Sequence, residues 1–421
     1  MARPLDYMTN RLSSPLTRTE SVVRYLLLLA LFSVSFSTAL TNVFVGLAYI
    51  GFVLALCTSP VLRCVQRSAP ALLALALLAF YLIGASWSIA PHDDIRTALQ
   101  KYSRLLVLPI AIALSWRDPT LPPRALRWFL GGAAVLAAAC YLTRFGMMPT
   151  SSLGWWRPST DANDAYVFKN HITSGILLGF AATACLLASR YAATPRARFA
   201  AIAAAVFFAV PIMILGQGRT GYVTLFVGLV AVLLLHPRAT PLVKAAGIGA
   251  IALAFFGAYL ASPNVKLRTD DLINEVATGA PRSPNGVRLS FVRVAVQAVA
   301  DHPLLGIGTG AFAEAYAPTA RAIWPPEKAL VRNQPHSEFL LVAVQLGLAG
   351  SLVYFAMLGT LGRAALGPRS FETDSLALLW AIYFVASSFN SLLWDTTEAH
   401  WFLLLGGCLY VGALRRRMVA P

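Results

Sequence analysis

Two arginines in this sequence, each beside an apolar run, are suited to holding an anion. Arg219 stands in the Gly-Gln-Gly-Arg-Thr-Gly turn of residues 216–221, where a flexible backbone lets the guanidinium reach over the surface that the preceding run crosses. Arg288 follows Pro284-Asn285-Gly286 and opens a stretch in which Leu289, Val292, Val296 and Val299 recur at helical spacing. A guanidinium is a planar fork that donates paired hydrogen bonds and keeps its charge, so two of them converging on one point suit a diphosphate. The alternative for each is an arginine that snorkels to headgroup level or pairs with a carboxylate.

His336 is the candidate for proton transfer. It lies in Arg332-Asn333-Gln334-Pro335-His336-Ser337-Glu338, where a long hydrophilic interval gives way to an apolar run. At a helix N-terminus the dipole disfavours the imidazolium and keeps the ring neutral, able to accept a proton. A sugar hydroxyl is far too weak an acid to be deprotonated outright, so the role would be concerted general-base assistance during attack. The other reading is a capping histidine with a structural bond. Glu338 could orient the ring only if the helix starts beyond it. His171, which opens another run after Phe168-Lys169-Asn170, has the same two readings, site residue or interfacial cap. Lys169, Gln217 and Asn333 stand beside these centres as further candidate substrate contacts.

Other signals point to less. Gly306-Ile307-Gly308-Thr309-Gly310 looks like a nucleotide loop, but no Lys-Ser/Thr follows it and no strand precedes it. A tight turn that lets the loop approach the membrane core is the better account. Trp155, Trp156 and Trp324 can stack on sugars or belong to an interfacial aromatic belt. The acid pairs Asp93-Asp94, Asp161 with Asp164, and Asp270-Asp271 lack a third ligand at supporting spacing, so no metal is expected.

The elements that must position these groups follow from composition. Of 421 residues, 57% are hydrophobic and 12% charged, far from the roughly 25% charged of a soluble domain. Twelve apolar runs appear, near 22–38, 42–57, 70–88, 103–115, 125–145, 171–189, 199–215, 220–235, 244–261, 338–361, 374–393 and 400–414. Lipid leaves an open chain only the helix as a way to satisfy its backbone. The expected fold is therefore an all-α polytopic integral membrane protein of about 12 transmembrane helices with one large, partly helical periplasmic loop. Pro109 suggests a kink or a re-entrant turn in the short fourth run. Ala-rich stretches at 131–139 and 201–205 favour close helix packing. The expected division is residues 1–261 for helices one to nine, 262–337 for the loop, and 338–421 for the last three.

The net charge of +16 concerns orientation rather than nucleic acid. Arg63 and Arg67, the arginines at 117–127, 190–198 and 363–369, and Arg415-Arg416-Arg417 all fall on the side of the basic N-terminus. Positive loops stay inside, which puts both termini in the cytoplasm and the candidate site on the outer face. Arg3, Arg11 and Arg18 lead into the first run without a small-residue cleavage site, so that run is expected to stay as a span. None of the five cysteines lies in the long loop, so no disulfide framework is expected there. The span interiors hold almost no ionisable groups, which favours an enzyme at the outer boundary over a proton- or ion-coupled carrier.

Several of these segments together resemble a known family. Arg288-Leu289-Ser290-Phe291, His302-Pro303-Leu304-Leu305-Gly306-Ile307-Gly308-Thr309-Gly310-Ala311-Phe312, and Pro335-His336-Ser337-Glu338-Phe339-Leu340 followed by Gly347-Leu348-Ala349-Gly350 look like the signature of the O-antigen ligase and polymerase superfamily. Phe168-Lys169-Asn170-His171 and Gly218-Arg219-Thr220-Gly221 fall where that family carries its other outer-face motifs. Ser337 departs from the Asn that many relatives carry after the histidine. The resemblance implies a bacterial inner-membrane glycosyltransferase that needs neither metal nor cofactor. It implies undecaprenyl-diphosphate-linked O-antigen as donor and a sugar of the lipid A-core oligosaccharide as acceptor, with membrane lipids around both and no nucleic acid. Carried over, His336 would be the catalytic base and Arg219 and Arg288 would hold the donor diphosphate. Related polymerases join two lipid-linked repeats and related oligosaccharyltransferases modify proteins; a flippase for lipid-linked oligosaccharide is the alternative outside the enzymes.

Overall fold

The computed structural model describes residues 15–149, 164–325 and 331–419. Among these residues the chain is helical and no strand occurs. The helices are α1 (Arg18–Ser33), α2 (Thr38–Thr58), α3 (Val61–Gln66), α4 (Ala69–Gly84), α5 (His92–Tyr102), α6 (Val107–Arg117), α7 (Leu121–Arg144), α8 (His171–Arg190) and α9 (Pro195–Val210). They continue as α10 (Arg219–Leu234), α11 (Pro241–Ala261), α12 (Pro263–Thr278), α13 (Pro284–Asp301), α14 (Phe312–Ile323), α15 (Glu338–Ala365), α16 (Phe371–Ser387) and α17 (Thr396–Val419). Every one of the twelve apolar runs contains a helix. Seven helical stretches among the described residues are long and apolar enough to cross a membrane: 38–57, 69–87, 121–144, 171–190, 195–215, 241–261 and 338–365.

The helices begin where the capping chemistry puts them. Asn170 caps α8, Thr194 caps α9, Thr240 caps α11, Ser283 caps α13 and Ser337 caps α15, each side-chain oxygen accepting an N–H that the first turn leaves unpaired. Proline follows at the start of α9, α11, α12 and α13, where a missing N–H costs nothing. Pro109 sits in the first turn of α6 in the same way, so it starts that helix instead of interrupting it, and every residue of α6 is buried.

Helix α8 is the centre of the bundle, packed by α9, α10, α16 and α7. It meets α10 through small residues one turn apart. A methyl at Gly175 would fall 2.6 Å from the Gly221 Cα, and Gly179 and Thr183 lie against Thr224 and Gly228 in the same row. This close approach is the membrane form of packing, where small side chains let backbones touch. It brings the N-terminal ends of the two helices together, and the Gly218 cap of α10 lies against the His171 carbonyl. The Ala-rich stretch at 131–139 packs as expected in α7, whereas 201–205 in α9 faces mostly outward. Helix α11 buries none of its window within the protein.

Helix α15 is broken at Gly347, whose φ of 62° and ψ of −156° no other residue type adopts easily. The break frees backbone groups in the middle of a long apolar helix, where an unpaired N–H or C=O is costly. The glycine-rich segment after α13 fills the break. Ile307 and Gly308 donate to the carbonyls of Val344 and Gln345 at 2.9 and 3.0 Å, while Leu348 and Ala349 donate to Pro303 and Leu304 at 2.8 and 3.2 Å. Gln345 supports the graft from inside: its Oε1 accepts the Gly310 N–H at 2.7 Å and its Nε2 donates to Tyr102. Thr309 reaches the backbone of α4 at Tyr81. The interval between α11 and α15 thus contains three helices and a strap that is built into the bundle.

Candidate functional site

His336 has a φ of 54°, the only positive value at a non-glycine residue among those described. Such a backbone costs about 1–3 kcal/mol and persists only when its surroundings impose it. They do so from both sides. The His336 N–H donates to Gln334 Oε1 at 3.2 Å, and Ser337 caps α15 while its hydroxyl donates to the Ser387 carbonyl. Glu338, buried as the first residue of α15, donates its N–H to Asn390 and accepts the N–H groups of Leu393 and Trp394 on one carboxylate oxygen. Glu338 therefore fixes the chain leaving His336 and does not orient the ring. The imidazole instead rests against Phe291, with ring centroids 5.7 Å apart.

Phe291 comes from α13, and one turn before it is Arg288. Both line a cavity of about 410 Å³ that also contains His336. Helix α14 forms another wall: Tyr316 packs edge-on against Phe291 at 4.7 Å, and Trp324 ends the helix at the rim. Two further arginines, Arg282 and Arg332, complete the cationic lining, and no Asp or Glu is among the lining residues. Arg288 has no carboxylate within ion-pair distance among the described residues.

Electrostatics set the protonation state of the histidine. Burial pushes the His336 imidazole down to about 4, helped by the positive charges of Arg288 and Arg332. The lowered value favours the neutral ring, and its causes are burial and the two guanidiniums; the residue itself lies just before the Ser337 cap of α15. Burial also lowers Arg288, followed by repulsion from Arg219, with Glu275 acting in the opposite direction. Glu275 joins the two parts of the site. One oxygen lies 3.9 Å from Arg219 Nη2 and the other accepts the Asn285 N–H at the start of α13, at 3.0 Å.

The structure thus brings His336 and Arg288 into one cavity and sets Arg219 at the first residue of α10, linked to α13 through Glu275. His171, the first residue of α8, lies within electrostatic reach of Asp164, Arg268, Arg288 and Arg219. Gln217 is buried in the turn before α10, and Asn333 is half-buried in the segment leading to His336; neither lines the cavity. Lys169 is placed elsewhere. Its ammonium donates to Thr38 and Thr397, tying α8 to α2 and α17, and burial lowers it to about 8 against the pull of Glu398. Trp155, Trp156 and Asp161 lie outside the described residues. Among the other acids, Asp270 accepts from Tyr259 at 2.7 Å and Asp271 pairs with Arg268 at 3.6 Å.

Arg282, Arg332, Tyr316 and Phe291 were not assigned to the site from sequence. Arg332 carried a usable signal, four residues before His336, and Phe291 stood in the motif that begins at Arg288, whereas nothing local marked Arg282 or Tyr316. The helical spacing of Leu289, Val292 and Val296 does fall in a helix, α13, in which these three are exposed and Phe291, Ala295 and Ala298 are the buried face.

In a comparison with known families, residues 203–355 match the family model described as O-Antigen ligase. The match runs from α9 into α15 and takes in Arg219, Arg288 and His336. No curated protein matches the chain.

Proposed function

We propose that this member of the O-antigen ligase superfamily transfers a glycan from undecaprenyl diphosphate to a sugar hydroxyl of lipid A-core at the periplasmic face of the bacterial inner membrane. In this reading all twelve apolar helices span, both termini are cytoplasmic, and residues 262–337 form the periplasmic cap. The observation that carries it is the shared cavity: a neutral histidine and an arginine with no ion pair among the described residues line the same space, and the second arginine is one carboxylate away.

The acceptor hydroxyl attacks the anomeric carbon of the donor. The bond from that carbon to the diphosphate oxygen breaks, and the hydroxyl proton passes to His336. Arg219 and Arg288 hold the diphosphate and stabilise the charge that grows on it as it leaves. The leaving group is activated, so the protein supplies mainly position and a preorganised field. An imidazole that titrates near 4 is a weak base in the free protein. A bound diphosphate offsets the guanidinium charges that depress it and so raises its basicity when the donor is present. The apolar groove lined by Met213, Ile214, Ala258 and Ala261, with Arg144 at its edge, offers the polyprenyl chain a lipid-facing path.

The test is a ligation assay with purified protein, lipid-linked glycan and each acceptor class separately. Transfer to lipid A-core is expected. Transfer only to a second lipid-linked repeat, or only to protein, would replace the ligase reading with polymerase or oligosaccharyltransferase. Trapping of donor on the cytoplasmic side in cells lacking the protein, with ligation indifferent to His336→Ala, would replace it with a flippase.

A further inference from the structure

The cavity lining carries three arginines, Arg282, Arg288 and Arg332. A diphosphate diester carries two ionisable oxygens, which the reading above gives to Arg288 and, from outside this lining, to Arg219. Arg282 and Arg332 remain, and no acid among the described lining residues balances either.

Arg282 is held in place. Its Nε donates to the Ile323 carbonyl at 2.9 Å, and its guanidinium lies over the Trp324 ring at 5.7 Å. Both contacts leave the terminal NH₂ groups of the fork available. Arg332 has no ion pair or hydrogen bond among the described residues, lines the same cavity, and bears electrostatically on His336. Solvated rim arginines would be the default on a flat surface, but three guanidiniums facing one concavity repel each other and gain when an anion enters. An indole beside the charge adds an apolar face on which a sugar ring can stack.

We propose that Arg282 and Arg332, with Trp324, form a second anion subsite that takes an acidic substituent, a phosphate or carboxylate, on the acceptor glycan. The acceptor is favoured over the donor glycan because Arg332 acts on His336, the group that meets the acceptor hydroxyl, whereas Glu275 links Arg219 to the Arg288 side. This inference rests on the transferase reading above.

The experiment uses the full-length protein, the Arg282→Gln/Arg332→Gln double variant and Arg332→Gln alone as the milder variant. Acceptors are native glycan-lipid and the same lipid dephosphorylated and carboxyl-reduced. For the native acceptor, the double variant should raise KM about tenfold, the scale of one lost charge-assisted contact, with donor KM unchanged. The wild type should lose about as much on the neutralised acceptor, and the double variant should lose nothing further there. Arg332→Gln should show part of the same pattern. A rise in donor KM instead, an equal loss on both acceptors, or no change overturns the subsite. A binding arm separates this from failure of the transferase reading: soluble acidic oligosaccharide, titrated calorimetrically, should bind the wild type about tenfold more tightly than the double variant even if no transfer occurs. Equal binding overturns the subsite on its own.

Discussion

Arg117 and Arg288 are both arginines withdrawn from solvent near the ends of helices, and they differ in what answers their charge. Arg117 Nε lies 2.7 Å from Glu20 Oε1, its Nη2 bonds the second carboxylate oxygen at 3.2 Å, and both side chains are almost fully buried. Its neighbours at that end are paired too, Arg24 with Asp118 at 3.0 Å and Arg369 with Asp374 at 3.1 Å. In the His336 cavity Arg282, Arg288 and Arg332 have no carboxylate within ion-pair distance among the described residues. A charge that is already answered holds the fold together. One left open is available to a ligand, and the protein carries the cost of keeping it open.

The contrast is sharpest in mutants. Arg117→Ala strands Glu20 without its partner, and breaking a buried pair in this way costs about 3–5 kcal/mol, so expression and thermal stability in detergent should fall together. Arg288→Ala should leave the melting temperature unchanged or higher, because it removes repulsion from Arg219, while transfer collapses. Arg288→Lys should recover only part, since it keeps the charge and loses the fork. If Arg288→Ala unfolded the protein as Arg117→Ala does, the distinction between the two ends would be wrong.

His336 extends the argument to the backbone. His336→Gly releases a strained φ and removes the ring, so it should lower transfer by about 10²–10⁴-fold, the range of general-base catalysis, with stability held or raised by roughly 1 kcal/mol. Loss of stability together with activity would make the strain structural. Gly347→Ala provides the opposite case. Its Cβ would fall 2.4 Å from the Leu304 carbonyl carbon, at a φ of 62°, and should expel the 303–310 strap and destabilise the fold.

How far the sequence revealed this depends on the range of each interaction. The apolar helices and the hydrophilic interval are local patterns and could be read directly. His336 and Arg288 stood out because their motifs resemble a family, and the cavity they share could not be inferred from spacing. It is assembled from α13, α14 and the segment before α15, with 47 residues between Arg288 and His336, a separation that no period encodes. The stripe of Leu289, Val292 and Val296 marked the helix but not which way it faces: these residues are exposed. Apolar periodicity marks a core in water, but beside a bilayer the same pattern can face outward. Gly347 reads as an ordinary glycine within a helical run, and its meaning appears only once the strap from 40 residues earlier is seen to fill the break.

Acidity offers a finer test of the open cavity. The histidine works as a base only when unprotonated. With its folded value depressed to about 4, kcat/KM should stay level as pH falls from 7 to 5 and drop as pH passes through about 4. An ordinary imidazole would instead lose activity near 6.5, at roughly its unperturbed value. Arg332→Gln removes one of the depressing charges and should move the acid limb upward. An acid limb already near 6.5 in the wild type would mean that burial and the arginines do not act on the ring as described.

Arg219 stands between the two classes, and the smallest effect should show which it belongs to. Its partner Glu275 lies 3.9 Å away, and both are partly exposed, so the pair is worth no more than about 1 kcal/mol. Glu275→Gln keeps an oxygen that can accept the Asn285 N–H, so the start of α13 stays capped while the negative charge beside Arg219 and Arg288 is lost. If Glu275 merely fills the anion position until the donor arrives, donor KM should fall about two- to fivefold, the scale of an exposed pair, with kcat unchanged. If the carboxylate instead holds Arg219 in its working direction, as Glu20 holds Arg117, donor KM should rise and kcat should fall with it. The cavity arginines are open charges, so the first outcome is expected; the second would move Arg219 from the group that binds substrate to the group that holds the fold.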